Sequence, residues 1–196
     1  MNFLKAAESG ERRRVFIWEV TGTVFVIASG FILHFLYEWT GQSALAAWFA
    51  PVNESVGEHL KLGFWGLVFF SLIEFWFIRH SVRNYFAAKA LGILSLQLFV
   101  LMVFYTYTSF VDDPIAIVDI LSYIVGTIIC QALVFKMYFS RKLPNIVTAI
   151  SVVFLVAHAL FLIAFTFWPP DHPLFQEYAA LPLSDSWPGL GGLKVA

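Results

Sequence analysis

The sequence predicts an all-α fold, a polytopic bundle of about five transmembrane helices. Of the 196 residues, 60% are hydrophobic and only 13% are charged, whereas a soluble domain carries roughly 25% charged residues. A soluble fold of this size has too much surface to keep so many apolar side chains away from water. Apolar runs close to the ~20 residues that span a bilayer occur five times along the chain.

Five apolar runs predict the transmembrane spans, at residues 15–37, 62–78, 86–108, 115–135 and 144–168. The second run is short, and a helix that begins earlier, near Glu58, is also compatible with the sequence. Turn-forming residues separate the runs, as at Asp113-Pro114 after the third. No repeat, low-complexity tract or second domain is evident, so residues 1–196 are interpreted as a single membrane domain.

The basic residues predict the orientation of the bundle. Cytoplasmic loops retain Lys and Arg, and with the N-terminus inside, all twelve basic residues except Lys61 and Lys194 fall on the inner side. This predicts an N-in/C-out, multi-pass protein of the cell (plasma) membrane, with the lipid bilayer as its main partner. A net charge of -1 gives no reason to expect a nucleic-acid partner.

Two segments are predicted not to cross the membrane. Residues 43–60 contain an apolar stretch too short to span, broken at Pro51, and are interpreted as an interfacial or re-entrant piece. Residues 169–196 are rich in Pro and Gly, which predicts an irregular tail that covers the outer face.

Ionisable residues near the outer side of the spans are the candidates for chemistry, because such residues are costly in a membrane. His34 and Glu38 are four residues apart, a spacing that places two helical side chains on one face. His158 lies about ten residues below the outer end of the fifth span, roughly 15 Å deep. Histidine with carboxylate suits a divalent metal such as zinc. The predicted metal ligands are His34, Glu38, Glu54, His59 and His158.

Glu58 is the predicted catalytic general acid/base, which would activate a metal-bound water. The remaining polar residues of the predicted site are Asn53, Ser55, Lys61, Asp119 and Tyr123. A structural interpretation stands beside this one. Ser55 and Glu58 match a capping box at the start of the second span, and His34 and His158 can each serve as interhelical hydrogen-bond partners.

Two acids nearer the inner side are interpreted as structural. Glu74 is expected to pair with Arg79 or Arg83, and Glu19 with the basic residues at 12–14.

A long motif resembles a known family. It consists of His34-Phe-Leu-Tyr-Glu-Trp-Thr-Gly41 followed by Pro51-Val-Asn-Glu-Ser-Val-Gly-Glu-His-Leu-Lys61. This pattern is similar to a prokaryotic family of small multi-pass membrane proteins that is a domain of unknown function. The resemblance covers most of the chain and implies no activity. The family pattern has Trp at the position of Gly57 and Pro at that of Gly66, so we expect a looser lid over the site and a straighter second span.

Three functions follow from these features. The first is an outward-facing site that binds a metal or cation. In its fuller form, this hypothesis makes the protein a membrane-embedded hydrolase. The second is a small proton- or cation-coupled transporter or channel that uses Glu54, Glu58 and Glu74. Because the chain has only five spans and no inverted repeat, such a transporter would require a homo-oligomer. The third is a non-catalytic assembly subunit whose polar residues join helices. The outward clustering of histidine with carboxylate favours the first.

Overall fold

The computed structural model describes residues 2–111 and 113–177, with side chains from Ser9 onward. Its five α-helices are α1 Asn2–Trp39, α2 Val56–Ile78, α3 Tyr85–Thr108, α4 Ala116–Tyr138 and α5 Asn145–Phe167. Each contains a stretch long and apolar enough to cross a membrane. The predicted all-α bundle of five transmembrane helices is therefore confirmed, and the chain is a multi-pass membrane protein.

The second helix begins at Val56, earlier than the hydropathy pattern alone predicts. Ser55 has extended backbone angles, and its hydroxyl accepts a hydrogen bond from the Glu58 N–H at 3.4 Å. The predicted capping role of Ser55 is confirmed, because this bond satisfies one of the free amides of the first turn. The consequence is that Glu58, His59 and Lys61 lie on the first turns of α2 rather than in a loop.

The helices differ in how much of their surface the protein buries. α2 packs against α1, α3 and α5, and most of its residues are buried. α5 buries only Ser151 and Leu162, although it is the most hydropathic span. Five of its exposed apolar side chains, spaced three or four residues apart, are Ile146, Ile150, Val153, Val156 and Leu160. This stripe is the surface expected of a helix that faces lipid.

Helix direction alternates, so the bundle has two ends of different charge. We call one end, where α2 and α4 begin, the acidic end; its described acids include Glu38, Glu54, Asp113, Asp119, Asp171 and Glu177. We call the other the basic end; its cations include Arg12, Arg13, Arg14, Arg79, Arg83, Arg141 and Lys142. The prediction that the basic end faces the cytoplasm remains a prediction.

Residues 43–55, which we call the cap segment, fold back onto the acidic end. The segment forms a short 3-10 helix at Ala46–Trp48 and contacts α1 and α5. Ala47 and Ala50 are buried, and their carbonyl oxygens accept hydrogen bonds from the Lys61 ammonium at 2.9 and 3.1 Å. The cap segment is thus held by a side chain from α2.

The tail contacts the same end of the bundle. A second 3-10 helix, Pro173–Phe175, packs against α2, while residues 178–196 of the predicted covering tail lie outside the described residues. A Cβ atom at Gly57 would lie 2.7 Å from the Phe175 ring and 2.8 Å from the Leu174 carbonyl oxygen. The space above Gly57 is filled by the tail, and the expectation of a lid looser than that of Trp-containing relatives stays a prediction.

Candidate functional site

The structure brings three of the five predicted metal ligands together at the acidic end. His34 from α1, Glu54 from the cap segment and His59 from α2 each offer one ligand atom, and these atoms lie within 4.8 Å of one another. The His34 and His59 rings are 5.1 Å apart between centroids. The His59 Nε2 atom lies 3.4 Å from Glu54 Oε2.

The His59 ring is oriented by the start of α2. Its Nδ1 atom lies 2.8 Å from the Ser55 carbonyl oxygen. A carbonyl oxygen can only accept, so Nδ1 carries the proton and donates it. Nε2 is the atom that lies near Glu54. It donates to that carboxylate when the ring is protonated, and it carries a lone pair that a metal could bind when the ring is neutral. Proteins orient metal-binding histidines in this way, by a hydrogen bond from the other ring nitrogen.

His34 has a nitrogen with no protein partner. Its Nδ1 atom is buried and makes no hydrogen bond, and the ring lies tilted against the rings of Phe35, at 4.8 Å between centroids, and His59. Leaving a buried polar atom unsatisfied costs about 1–3 kcal/mol. The cluster therefore contains a buried nitrogen that the described protein groups leave without a hydrogen bond.

Glu54 supplies the negative charge of the group. The side chain is exposed, just outside the second span. The hydrogen bond to His59 lowers the pKa of the Glu54 carboxyl, against a smaller opposing effect of partial burial, and the charges of His59 and His34 add to the lowering. Glu54 is therefore an anion at neutral pH, the state in which a carboxylate binds a metal.

The three residues border a cavity of about 710 Å³ between α1, α2, α3 and α4. Its polar lining residues are His34, Glu54, His59, Gln97, Asp113, Asp119 and Tyr123, and the rest of the wall is mostly apolar. The Asp119 carboxylate accepts a hydrogen bond from the Tyr107 hydroxyl at 2.8 Å, which fixes one of its oxygens. The cavity is thus amphiphilic, with most of its ionisable groups at the acidic end.

Glu58 lies in a separate cluster. One of its oxygens accepts from the Lys61 ammonium at 2.7 Å and from the Val52 N–H at 3.0 Å, and the other accepts from the Thr166 hydroxyl at 2.9 Å. Glu58 and Lys61 are buried, and neither lines the cavity of about 710 Å³. The predicted acid/base residue is thus fully hydrogen-bonded between α2, α5 and the cap segment, an arrangement that favours a structural role.

The two other predicted ligands lie outside the three-residue group. Glu38 is exposed on α1. His158 lies on α5 among aromatic rings, 5.1 Å from Phe64 and 5.4 Å from Phe154 between centroids. Nothing tests their role as ligands, and the geometry does not favour it.

The remaining predicted polar residues join chain segments. The Asn53 side chain accepts from the Ser55 N–H at 3.1 Å, and the Tyr123 hydroxyl donates to the Val26 carbonyl at 2.8 Å, linking α4 to α1. Sequence reasoning missed two contributors. Tyr107 orients Asp119, and Thr166 holds Glu58 from 108 positions away in sequence, a separation that no local spacing signal covers.

Five membrane-crossing helices with a histidine and carboxylate group at one end define a multi-pass membrane protein with a candidate metal centre. The chain belongs to the family of unknown function DUF6512, whose model matches residues 8–180. The expected membership in an uncharacterised family is thereby confirmed. No curated protein and no solved structure matches the chain.

Proposed function

We propose that this protein binds a divalent transition metal, zinc in the first instance, through His34, Glu54 and His59. The observation that carries the proposal is the convergence of two imidazoles and one carboxylate within 4.8 Å, with the His59 Nε2 atom on the side of Glu54. Two histidines with one carboxylate is a donor set of catalytic zinc sites and of non-haem iron sites.

The spacing of the donor atoms suits a small metal ion. Zinc lies about 2.0–2.2 Å from nitrogen and oxygen ligands, so two ligands of a tetrahedral ion are roughly 3.4 Å apart. His59 Nε2 and Glu54 Oε2 are already 3.4 Å apart. A metal ion requires only that the His34 side chain and the exposed Glu54 side chain adjust slightly.

The cavity suggests what a metal would act on. Three protein ligands leave a coordination position for water or substrate, and the bound metal would supply Lewis-acid activation of that water. Asp119 lines the same cavity and interacts electrostatically with His59, so it is a better placed proton acceptor than Glu58. The apolar walls suit a substrate with an acyl or other hydrocarbon portion. We therefore propose a membrane-embedded hydrolase that acts on an amphiphilic ester or amide from the outer side of the cell membrane.

The transport hypothesis finds less support. Its three acids lie in three separate clusters. Glu54 contacts His59, Glu58 pairs with Lys61, and Glu74 pairs with Lys89. The assembly hypothesis accounts for the satisfied Glu58 pair. It does not account for the buried His34 nitrogen that has no partner beside a large cavity.

The test is the metal content of detergent-purified protein after loading with zinc, manganese or iron(II) and removal of free ions. We expect near-stoichiometric metal in the wild type and almost none in His59→Ala. His158→Ala is the matched control, a histidine in another span that is predicted to leave the metal content unchanged. A wild type that retains none of the three metals would contradict the proposal, as would equal losses in the two variants.

A further inference from the structure

A second group of buried ionisable residues lies in the half of the bundle nearer the basic end. Glu19 on α1, Glu74 on α2 and Lys89 on α3 are 3%, 0% and 2% exposed. The Lys89 ammonium lies 2.6 Å from Glu74 Oε2 and 3.7 Å from Glu19 Oε1. The expected pairing of these acids with arginines of the basic end is wrong, since both face the same lysine from a neighbouring helix.

Hydrogen bonds account for one oxygen of each carboxyl group. Glu74 Oε2 accepts from the hydroxyls of Tyr85 and Tyr138, at 3.1 and 3.3 Å, besides its contact with Lys89. Glu19 Oε2 accepts from the side-chain amide of Gln131 at 3.0 Å when that amide is oriented to accept from the Thr23 N–H.

The other oxygen of each carboxyl group is left over. Glu19 Oε1 and Glu74 Oε1 are both buried and make no hydrogen bond, yet the two carboxyl groups face the same ammonium, at 3.7 and 2.6 Å, and interact with each other. Two ionised carboxylates cannot bond to one another, because neither has a donor. Two carboxylates with one ammonium would also leave a net negative charge in an apolar interior, which is costly.

We propose that Glu19 and Glu74 bind one proton between them, so that with Lys89 they form a proton-binding site inside the membrane. Held on Glu19, the proton makes that carboxyl group a donor to Glu74 and removes the net charge. Glu74 is the ionised partner, because its Oε2 atom lies 2.6 Å from the ammonium and within 3.3 Å of both tyrosine hydroxyls.

Within the part of the chain that the structure describes, the groups that face the cluster from the packed helices include no other cation. They are the Tyr85 hydroxyl from α3 and the Cys130 thiol, Gln131 amide and Tyr138 hydroxyl from α4. All are neutral when protonated, so a proton is the simplest positive charge that balances the second carboxylate.

A largely apolar cavity borders the cluster on the side of α5. Lys89, Tyr85 and Ser71 line a second cavity of about 390 Å³ between α2, α3 and α5, whose other walls are apolar. The Tyr85 hydroxyl also lies 2.8 Å from the Ser71 carbonyl oxygen, so its single proton is shared between that oxygen and Glu74. Loss of the proton would leave two carboxylates competing for one ammonium, which would weaken the contact of α1 with α2 and α3.

Infrared spectroscopy of the detergent-purified protein at neutral pH tests this inference, since a protonated carboxyl group has a C=O band apart from those of carboxylates and shifts in ²H₂O. We expect such a band in the wild type and its loss in Glu19→Gln, a neutral side chain of nearly the same shape. The matched control is Glu11→Gln, the same substitution at an exposed position of α1, which should leave the band in place. The absence of the band in the wild type, or its persistence in Glu19→Gln, would overturn the proposal.

The variant Lys89→Met is expected to change the intensity of the infrared band in the opposite direction. In Lys89→Met the ammonium is missing, so Glu74 should also become protonated and the band should grow roughly twofold. An unchanged or smaller band in a folded Lys89→Met protein would contradict the shared-proton arrangement. If Lys89→Met does not fold, the Glu19→Gln comparison still decides the question.

Discussion

Two polar clusters begin on the first turns of α2, only one residue apart in sequence, and they use their polar atoms in opposite ways. In the first, Glu58 and Lys61 are buried and all their charged atoms are bound to protein groups. In the second, His34, Glu54 and His59 leave a buried nitrogen without a partner and border a cavity of about 710 Å³.

The difference shows that ionisable residues at membrane depth do not by themselves mark a functional site. The Glu58 and Lys61 pair joins the cap segment, α2 and α5, and buried pairs of this kind can be purely structural. Polar atoms left unsatisfied beside space for a ligand are the better indicator, because native structures rarely leave such atoms unpaired without a reason.

The largest expected effect comes from breaking the satisfied pair. Lys61→Met removes three hydrogen bonds and leaves the Glu58 charge buried with no cation. Breaking a buried pair from one side costs about 3–5 kcal/mol, so we expect the free energy of unfolding to fall by that amount. Denaturant unfolding in detergent micelles measures the change.

The control for this prediction is the double variant Glu58→Gln/Lys61→Met. It removes both charges and should recover part of the lost stability. A loss below about 1 kcal/mol in Lys61→Met, the range of exposed ion pairs, would show that the cap segment does not depend on this side chain.

A smaller effect is expected where the tail packs beside Glu58. In Gly57→Ala the new methyl group would meet the Phe175 ring and the Leu174 carbonyl, and such overpacking costs about 1–3 kcal/mol. Gly10→Ala is the matched control, since nothing lies within 4 Å of a Cβ atom there. If thermal unfolding shows the same stability for both variants, the tail does not pack on Gly57.

The smallest effect concerns pH at the histidine cluster. The pKa of the Glu54 carboxyl is lowered by its contact with His59, so the contact stabilises the fold above the ordinary pKa of about 4.5. That contribution is lost as the pH falls through the lowered pKa. In metal-free protein, the small difference in melting temperature between wild type and Glu54→Gln should therefore shrink below about pH 4.5. A difference that grows on acidification would contradict the assigned contact.

The five spans could be predicted because a bilayer imposes a length and a hydropathy on any helix that crosses it. The early start of α2 could be anticipated from Ser55, since its hydroxyl acts on an amide three residues away. These features depend on local sequence, which is where reasoning from one sequence is strongest.

The separation of the two clusters could not be predicted. Glu58 and His59 are adjacent, and about 100° of helix rotation sends their side chains to different neighbours. Which neighbour is polar depends on the fold of the cap segment and on Thr166, 108 positions away. The pairing of Glu74 with Lys89 in place of an arginine likewise depends on how α2 and α3 pack, which no spacing in one helix reveals.

The most direct test of the proposed centre is zinc X-ray absorption spectroscopy of the loaded wild-type protein. The account predicts nitrogen and oxygen ligands at about 2.0–2.2 Å, with the scattering pattern of two imidazole rings. For any zinc that His59→Ala retains, it predicts the scattering pattern of one imidazole ring. A shell of oxygen atoms without imidazole would contradict the central claim that His34, Glu54 and His59 form a metal site.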